Sequence, residues 1–423
     1  MANRPTAIPT ACIVVAGLWA SLSGASEPTP EPRDVRPFTL HVADRVLADL
    51  RNRLTNARWP DQGPGSGWEY GGDIQKLFEL AAYWQSFDWR TQEARINRYE
   101  QFVTTIDGQQ IHFLRLRSSR NDAIPLMMIH GWPGSIVEFL GVGEQLANPE
   151  GRDVVSFDVV IPSLPGSGLS GPTATRGWDT QRIARAFVVL MDRLGYPRYG
   201  IQGGDWGSII ARQMAQQAPA RVIGLHLNFL ADEPPNPEAR ASMSEYERMR
   251  FTGWWERGTS SFFRMQSSEP QTVAYGLTDS PLGWLAWVAQ IFQDVTDNDG
   301  DFLHAVDRDD FFANLTLYWV TGTVGSSMRI YREESLAGSA LQLPPLSTPV
   351  GYAVFPKEVI AAPLRWLEQK YHIVQVTNMP RGGHFAALEQ PDLLVQDVRK
   401  VFERILREKE GDVARRKGAT EAR

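Results

Sequence analysis

The chain is 423 residues long, 43% hydrophobic and 22% charged, enough for one large domain carrying an insertion or for two or three modest ones. Its formal net charge of -6 argues against a nucleic-acid or anionic-membrane partner, because both select for a basic face. With a single cysteine and no H-E-x-x-H or paired ligand spacing, neither a disulfide framework nor a metal or other cofactor is expected.

Residues 1–25 have the layout of a secretory signal peptide: MANR is a short positive start, ACIVVAGLWASL (11–22) an apolar stretch, and Ser23-Gly24-Ala25 a small-residue site. The apolar run is shorter than the roughly 20 residues of a membrane span, so no stable span is expected. A periplasmic or secreted location follows, with anchoring by an uncleaved N-terminus as the alternative. Cys12 lies inside this segment, and SEPTPEPRD makes 26–37 a proline-rich linker.

From Phe38 to about Trp89 the pattern is helical and aromatic-rich, and 38–105 is taken as one N-terminal segment. QFVTTIDGQQIHFLRLRS then alternates about Asp107-Gly108, a two-residue hairpin signal. Short buried strands alternating with helices follow. IPLMMIH, FDVVIPS, YGIQ, VIGLHLNFL, VGYAVF and HIVQVTN are the strands, and RIARAFVVLMDRLG, SIIARQMAQQ, APLRWLEQKY and LLVQDVRKVFERILREK the helices. Such alternation predicts an α/β fold with a mostly parallel sheet. It divides into a first core part (106–231) and a second (338–410), separated at 232–337 by an aromatic, helical insertion placed over the strand ends as a lid. The polar tail, 411–423, is expected to fray.

The segment GGDWGS (203–208) lies where a strand turns into a helix, and Gly203, Asp205 and Gly207 fit the G-x-S-x-G nucleophile elbow with aspartate in place of serine. A carboxylate there suits attack on carbon followed by hydrolysis of the resulting ester. The ester needs a water-activating base and a group that orients it. His384 follows a strand through the glycine-rich loop MPRGG. Glu358, after VGYAVF, fits the orienting acid; Asp232 is the rival, disfavoured because it begins DEPPNPE, which reads as a lid hinge. The amides of Trp206 and of Trp132 in HGWPGS (130–135) are the candidate oxyanion hole. The lid aromatics, Phe262 and Trp319 among them, suggest an apolar substrate pocket. LPGSGLSG (164–171) lacks the lysine of a P-loop and reads as a turn near the pocket mouth.

Together HGWPGS, GGDWGS, YWVTGTVGSSMRIYRE (318–333), FPKE (355–358) and RGGHFAALEQPDLL (381–394) resemble the epoxide hydrolases of the microsomal type. The stretch from Phe38 to about Arg117 is similar to the extra segment that this branch carries ahead of its α/β-hydrolase domain. The resemblance implies an α/β-hydrolase fold with a helical lid and an N-terminal helical meander, a small hydrophobic epoxide and water as substrates, a vicinal diol as product, and a homodimer. By position it implies Asp205 as nucleophile, Glu358 as acid, His384 as base, and Tyr331 as the phenol that protonates the oxirane oxygen. One position departs: the family's second tyrosine falls at Phe262, leaving Tyr331 alone unless Tyr246 or Tyr275 substitutes. Two other readings compete, a haloalkane dehalogenase using the same aspartate and a catalytically silent secreted binding protein.

Overall fold

The structure is a computed structural model that describes residues 34–421 apart from 66, 152–153, 257–259 and 341–342, and describes the backbone alone for Trp255 and for residues 409–421. The expected signal peptide, Cys12 and most of the linker lie outside the described residues.

The apolar runs form one sheet. In chain order its strands are β1 (Arg36–Phe38), β2 (Glu100–Ile106), β3 (Gln109–Leu116), β4 (Ile124–Ile129), β5 (Phe157–Pro162), β6 (Tyr199–Gly203), β7 (Val222–Leu227), β8 (Leu346–Val354) and β9 (Tyr371–Asn378). They lie in the spatial order β1-β2-β3-β5-β4-β6-β7-β8-β9. Pairing is antiparallel from β1 to β5 and parallel from β5 to β9. Asp107 and Gly108 both have positive φ, 53° and 73°, as the two-residue hairpin between β2 and β3 requires.

Chain order reverses at β4, which is followed by β5 on one side and β6 on the other. A crevice opens there beyond the carboxyl ends of the strands. Register keeps those ends level: Ile129 pairs with Gly203, Gly203 with Leu227, and Leu227 with Tyr352. The loops that follow therefore meet above the sheet. Below it, glycines on three neighbouring strands admit the long helix Pro391–Glu421; a β-carbon on Gly200, Gly224 or Gly351 would lie 2.3 Å from Phe402, Ile405 or Val401.

Helices from Pro237–Ala241 to Arg329–Ala337 fill the interval between β7 and β8, at the place expected for the lid. The N-terminal segment clamps this insertion. Lys76 Nζ reaches Asp301 at 2.5 Å, Trp84 Nε1 donates to Thr316 at 2.8 Å, and Arg95 and Tyr83 bind Asp310 and Asp309.

Three expectations need correction. The end of the expected linker, Arg36 and Pro37, is not loop but belongs to β1, which pairs with β2. APLRWLEQKY is helical only over Leu364–Leu367, because Tyr371 already belongs to β9. The tail expected to fray continues the last helix through Glu421, consistent with its helix-favouring Ala, Arg, Lys and Glu residues.

Asp232, the rival acid, is 3% exposed and accepts from Lys370 Nζ at 2.6 Å and from the Tyr371 hydroxyl. Its carboxylate lies 3.7 Å from Arg212, which is fully buried and also donates to Ala231 O and Tyr371. Removing one partner would strand the other's charge in a dry site. Asp232→Asn is expected to lower unfolding free energy by about 3–5 kcal/mol, read from the denaturant midpoint.

Candidate active site

Asp205 is the first residue of the helix Asp205–Gln217, directly beyond β6, and its φ of 48° is one that non-glycine residues rarely adopt. Its neighbours must be small for the turn to close. A β-carbon on Gly203 would lie 2.5 Å from Gly207 O, and one on Gly207 only 1.9 Å from Ile129 O. The carboxylate is thrust across to the loop after β4. There Gly131 makes room for it, since a β-carbon would sit 2.2 Å from Asp205 Oδ1, and the Trp132 amide donates to that oxygen at 2.8 Å. The Trp206 amide lies in the first turn of the same helix, where N–H groups have no intrahelical acceptor.

His384 faces the other carboxylate oxygen, its Nε2 lying 3.4 Å from Asp205 Oδ2. Its Nδ1 is 2.6 Å from Glu358 Oε1, which assigns the Nδ1 proton to that contact and leaves Nε2 toward Asp205. Backbone pairing sets this geometry: Lys357 and Gly383 form a parallel bridge, so the residues after them lie side by side. His384 N donates to Val295 O at 3.0 Å, and Glu389 accepts from Phe385 N and Asp297 N at 2.9 and 2.7 Å, tying the histidine loop to the lid. Burial acts to lower the His384 pKa, but the Glu358 and Asp205 carboxylates together hold it well above the ordinary histidine range.

The other strand-end histidine, His130, is structural. Nε2 accepts from Leu164 N at 3.1 Å, and burial lowers its pKa to about 4, keeping it neutral. The 164–171 turn packs beneath the lid, where Ser326 donates to Gly166 O and Gly168 N to Thr323, and none of its residues is among those that line the substrate cavity.

A cavity of about 780 Å³ opens above Asp205 between sheet and lid, lined by Trp132, Trp206, Phe229, Trp254, Phe262, Phe263, Ile291, Val295, Tyr331 and His384 among others. Tyr331 is buried, edge-on to Trp206 at 4.8 Å and to Trp132 at 5.5 Å. Its helix is anchored one turn on by Glu334, which accepts from Thr180 Oγ1 at 2.6 Å and Ser339 N at 2.8 Å. Burial pushes the Tyr331 phenol well above its ordinary pKa and the Asp205 charge adds to this, while the Trp206 indole N–H opposes it.

Phe262 lines the cavity and stacks on Trp132 at 5.7 Å. Neither proposed substitute can replace its missing hydroxyl, because Tyr246 and Tyr275 are 67% and 76% exposed. Trp319, expected in the pocket, packs instead against Trp84 at 6.3 Å. One step earlier on the same helix, about 100° around its axis, Tyr318 is fully buried and donates to Gly134 O at 2.5 Å. Sequence reasoning missed Tyr318, although its place in the 318–333 motif marked it, and also Asn314, which donates to Pro133 O at 2.7 Å. Through these two bonds the lid supports the loop that carries Trp132. Among the described residues no cluster of potential metal ligands occurs, and no helix is long and apolar enough to cross a membrane.

Comparison with known proteins agrees with this architecture. The family model described as epoxide hydrolase N terminus matches residues 35–139, and that of the alpha/beta hydrolase fold matches 124–279. Epoxide hydrolase 1 of Sus scrofa is 34% identical over 418 residues, covering 91% of each chain. The solved juvenile hormone epoxide hydrolase of the silkworm Bombyx mori superposes with a TM-score of 0.79 at 29% identity, covering 90% of this chain and 96% of that one. The Aspergillus niger epoxide hydrolase structure gives a TM-score of 0.77 at 30% identity, covering 88% and 97%. The chain belongs to the microsomal-type epoxide hydrolases of the α/β-hydrolase superfamily. It is an epoxide-hydrolysing enzyme, and the dehalogenase and silent-scaffold readings are not favoured.

The electrostatic account of His384 is testable without turnover. Asp205→Asn removes one of the two carboxylates that raise its pKa, so an NMR titration of the imidazole should place the variant's midpoint below the parent's. An unchanged midpoint would leave Glu358 as the sole source of the shift.

Proposed function

We propose that epoxide hydrolysis proceeds through a covalent ester on Asp205 and that the substrates are bulky, apolar epoxides. The observation that carries the reading is the setting of the Asp205 carboxylate: one oxygen on the Trp132 amide, the other 3.4 Å from His384 Nε2, at the floor of an apolar cavity of about 780 Å³. That volume lies toward the upper end of ordinary ligand pockets, which span about 300–1,000 Å³.

In the first step an Asp205 oxygen attacks an epoxide carbon, the ring C–O bond breaks, and the departing oxygen takes the Tyr331 proton. The tyrosinate is a strong base in this buried setting and is reprotonated. The compensating proton comes from His384: once Asp205 is esterified, one carboxylate that raised the imidazole pKa has lost its charge. Neutral His384, oriented by Glu358, then takes a proton from water as the water oxygen attacks the ester carbonyl carbon. The tetrahedral oxyanion is held by the Trp132 and Trp206 amides, and its collapse releases the diol and restores the Asp205 carboxylate and the protonated His384. The released diol retains the original carboxylate oxygen, while water oxygen stays on the enzyme.

Multiple turnovers in heavy-oxygen water should therefore build label into the Asp205 carboxylate, read by peptide mass spectrometry. Direct attack of water on the epoxide would leave Asp205 unlabelled and place the label only in the diol.

With Tyr331 the one phenol among the described residues that line the cavity, ring opening is slower or narrower in scope than with two. Phe262→Tyr restores a second donor beside Tyr331 and is expected to raise the single-turnover rate of ring opening by about tenfold, less than the roughly 10²–10⁴-fold of a positioned general acid because Tyr331 already donates. A variant matching the parent in rate and substrate range would show the second phenol to be immaterial.

A further inference from the structure

A second cavity, of about 20 Å³, shares Trp132, Asp205 and His384 with the substrate cavity but runs toward the strand ends, past Gly204 and Asn228. About 10–15 Å³ is enough for one water, provided two to four polar groups face it. Asp205, His384, Asn228 and Glu138 supply them.

Glu138 has no part in the chemistry described so far. It sits on the short 3-10 turn Ile136–Phe139 that follows HGWPGS, and its Oε1 is buried with no hydrogen-bond partner among the described residues. The residue as a whole is half-buried, and it lines the small cavity. Burial pushes its carboxyl pKa up to about 8; the Asp205 charge adds to the rise and the His384 charge opposes it. A group in that state is uncharged at neutral pH and offers an acceptor oxygen without placing a second full charge beside Asp205.

The loop is shaped around this acid as it is around the nucleophile. Gly131 leaves space for Asp205, and Gly134 leaves space for Glu138: a β-carbon there would lie 1.3 Å from Glu138 Oε1. Both glycines belong to the same six-residue motif, 130–135.

From this cavity, its lining and the space reserved by Gly134, we propose that Glu138 holds the hydrolytic water, together with His384, in a chamber separate from the substrate site. Water in the chamber gives one proton to His384 Nε2 and retains its other O–H, which donates a hydrogen bond to the Glu138 oxygen, while the water oxygen attacks the ester carbonyl carbon of Asp205. Because the chamber opens on Asp205 from the strand side, a bulky alkyl group on the ester does not displace the water. This inference rests on the aspartyl-ester reading.

The test separates the two half-reactions with an aryl epoxide that the parent turns over. Ester formation is followed by stopped-flow tryptophan fluorescence, since Trp132 and Trp206 flank Asp205, and ester accumulation by intact mass. E138L should form the ester at the parental rate and hydrolyse it about tenfold or more slowly, the loss of one well-placed hydrogen bond, so that the ester accumulates. E138Q keeps an acceptor oxygen in the same place and should recover most of that loss. E138D keeps the acid but withdraws it by one methylene; it should also slow hydrolysis, and it carries the test if E138L does not fold. His384→Gln is the control. Ester accumulating in H384Q but not in E138L or E138D, or ester formation and hydrolysis falling together in them, would overturn the role of Glu138 alone. No ester even in H384Q would overturn the covalent route and this inference with it.

Discussion

The active site depends on one backbone constraint, the left-handed conformation of Asp205 at the turn from β6 into its helix. Strain of about 1–3 kcal/mol is typical of such a residue, and surrounding structure must over-determine it. Here the over-determination is visible in the glycines: Gly203 and Gly207 are pressed against backbone, and Gly131 against the carboxylate itself. The turn aims the carboxylate away from its own helix and onto the Trp132 amide. Strand register does the rest, because β4, β6, β7 and β8 end level and their loops converge on one point.

Charge at that point changes during the proposed cycle. Before reaction Asp205 and Glu358 hold His384 well above its ordinary pKa, so the future base is still protonated. Ester formation removes one of those charges, and with it part of the reason for the proton to stay. The base is thus released by the step that creates its substrate. The lid contributes in parallel, presenting Tyr331 from a helix anchored by Glu334, and supporting the Trp132 loop through Asn314 and Tyr318. The N-terminal segment grips the lid from outside, through Lys76, Tyr83, Trp84 and Arg95, and so is linked to the oxyanion loop through packed elements.

Much of this was legible in the sequence because burial writes a simple pattern. Strands β4 to β7 are nearly continuous apolar runs, as buried parallel strands must be, and the Asp107-Gly108 turn has the residues its dihedral angles require. Asp205, Glu358 and His384 each follow a strand, in the order the fold imposes. What failed to show was direction. Tyr318 and Trp319 are adjacent aromatics, and only the helix's rotation decides that one supports the site loop while the other packs on Trp84. Glu358 and Asp232 both follow strands, and while the sequence favoured Glu358, that Asp232 is instead a buried partner of Arg212 shows only in the structure. Glu138 was hidden for another reason: Ser135-x-x-Glu138 has the spacing of a helix cap, an ordinary use for an acid. The distinction lies in the small cavity that its side chain faces.

The most direct test of the central claim is product analysis of the purified enzyme and its Asp205→Ala variant with a panel of aliphatic and aryl epoxides and haloalkanes. The account predicts vicinal diols from the parent, none from the variant, and no halide release from either. Diol formation persisting in Asp205→Ala at the parental rate would contradict it.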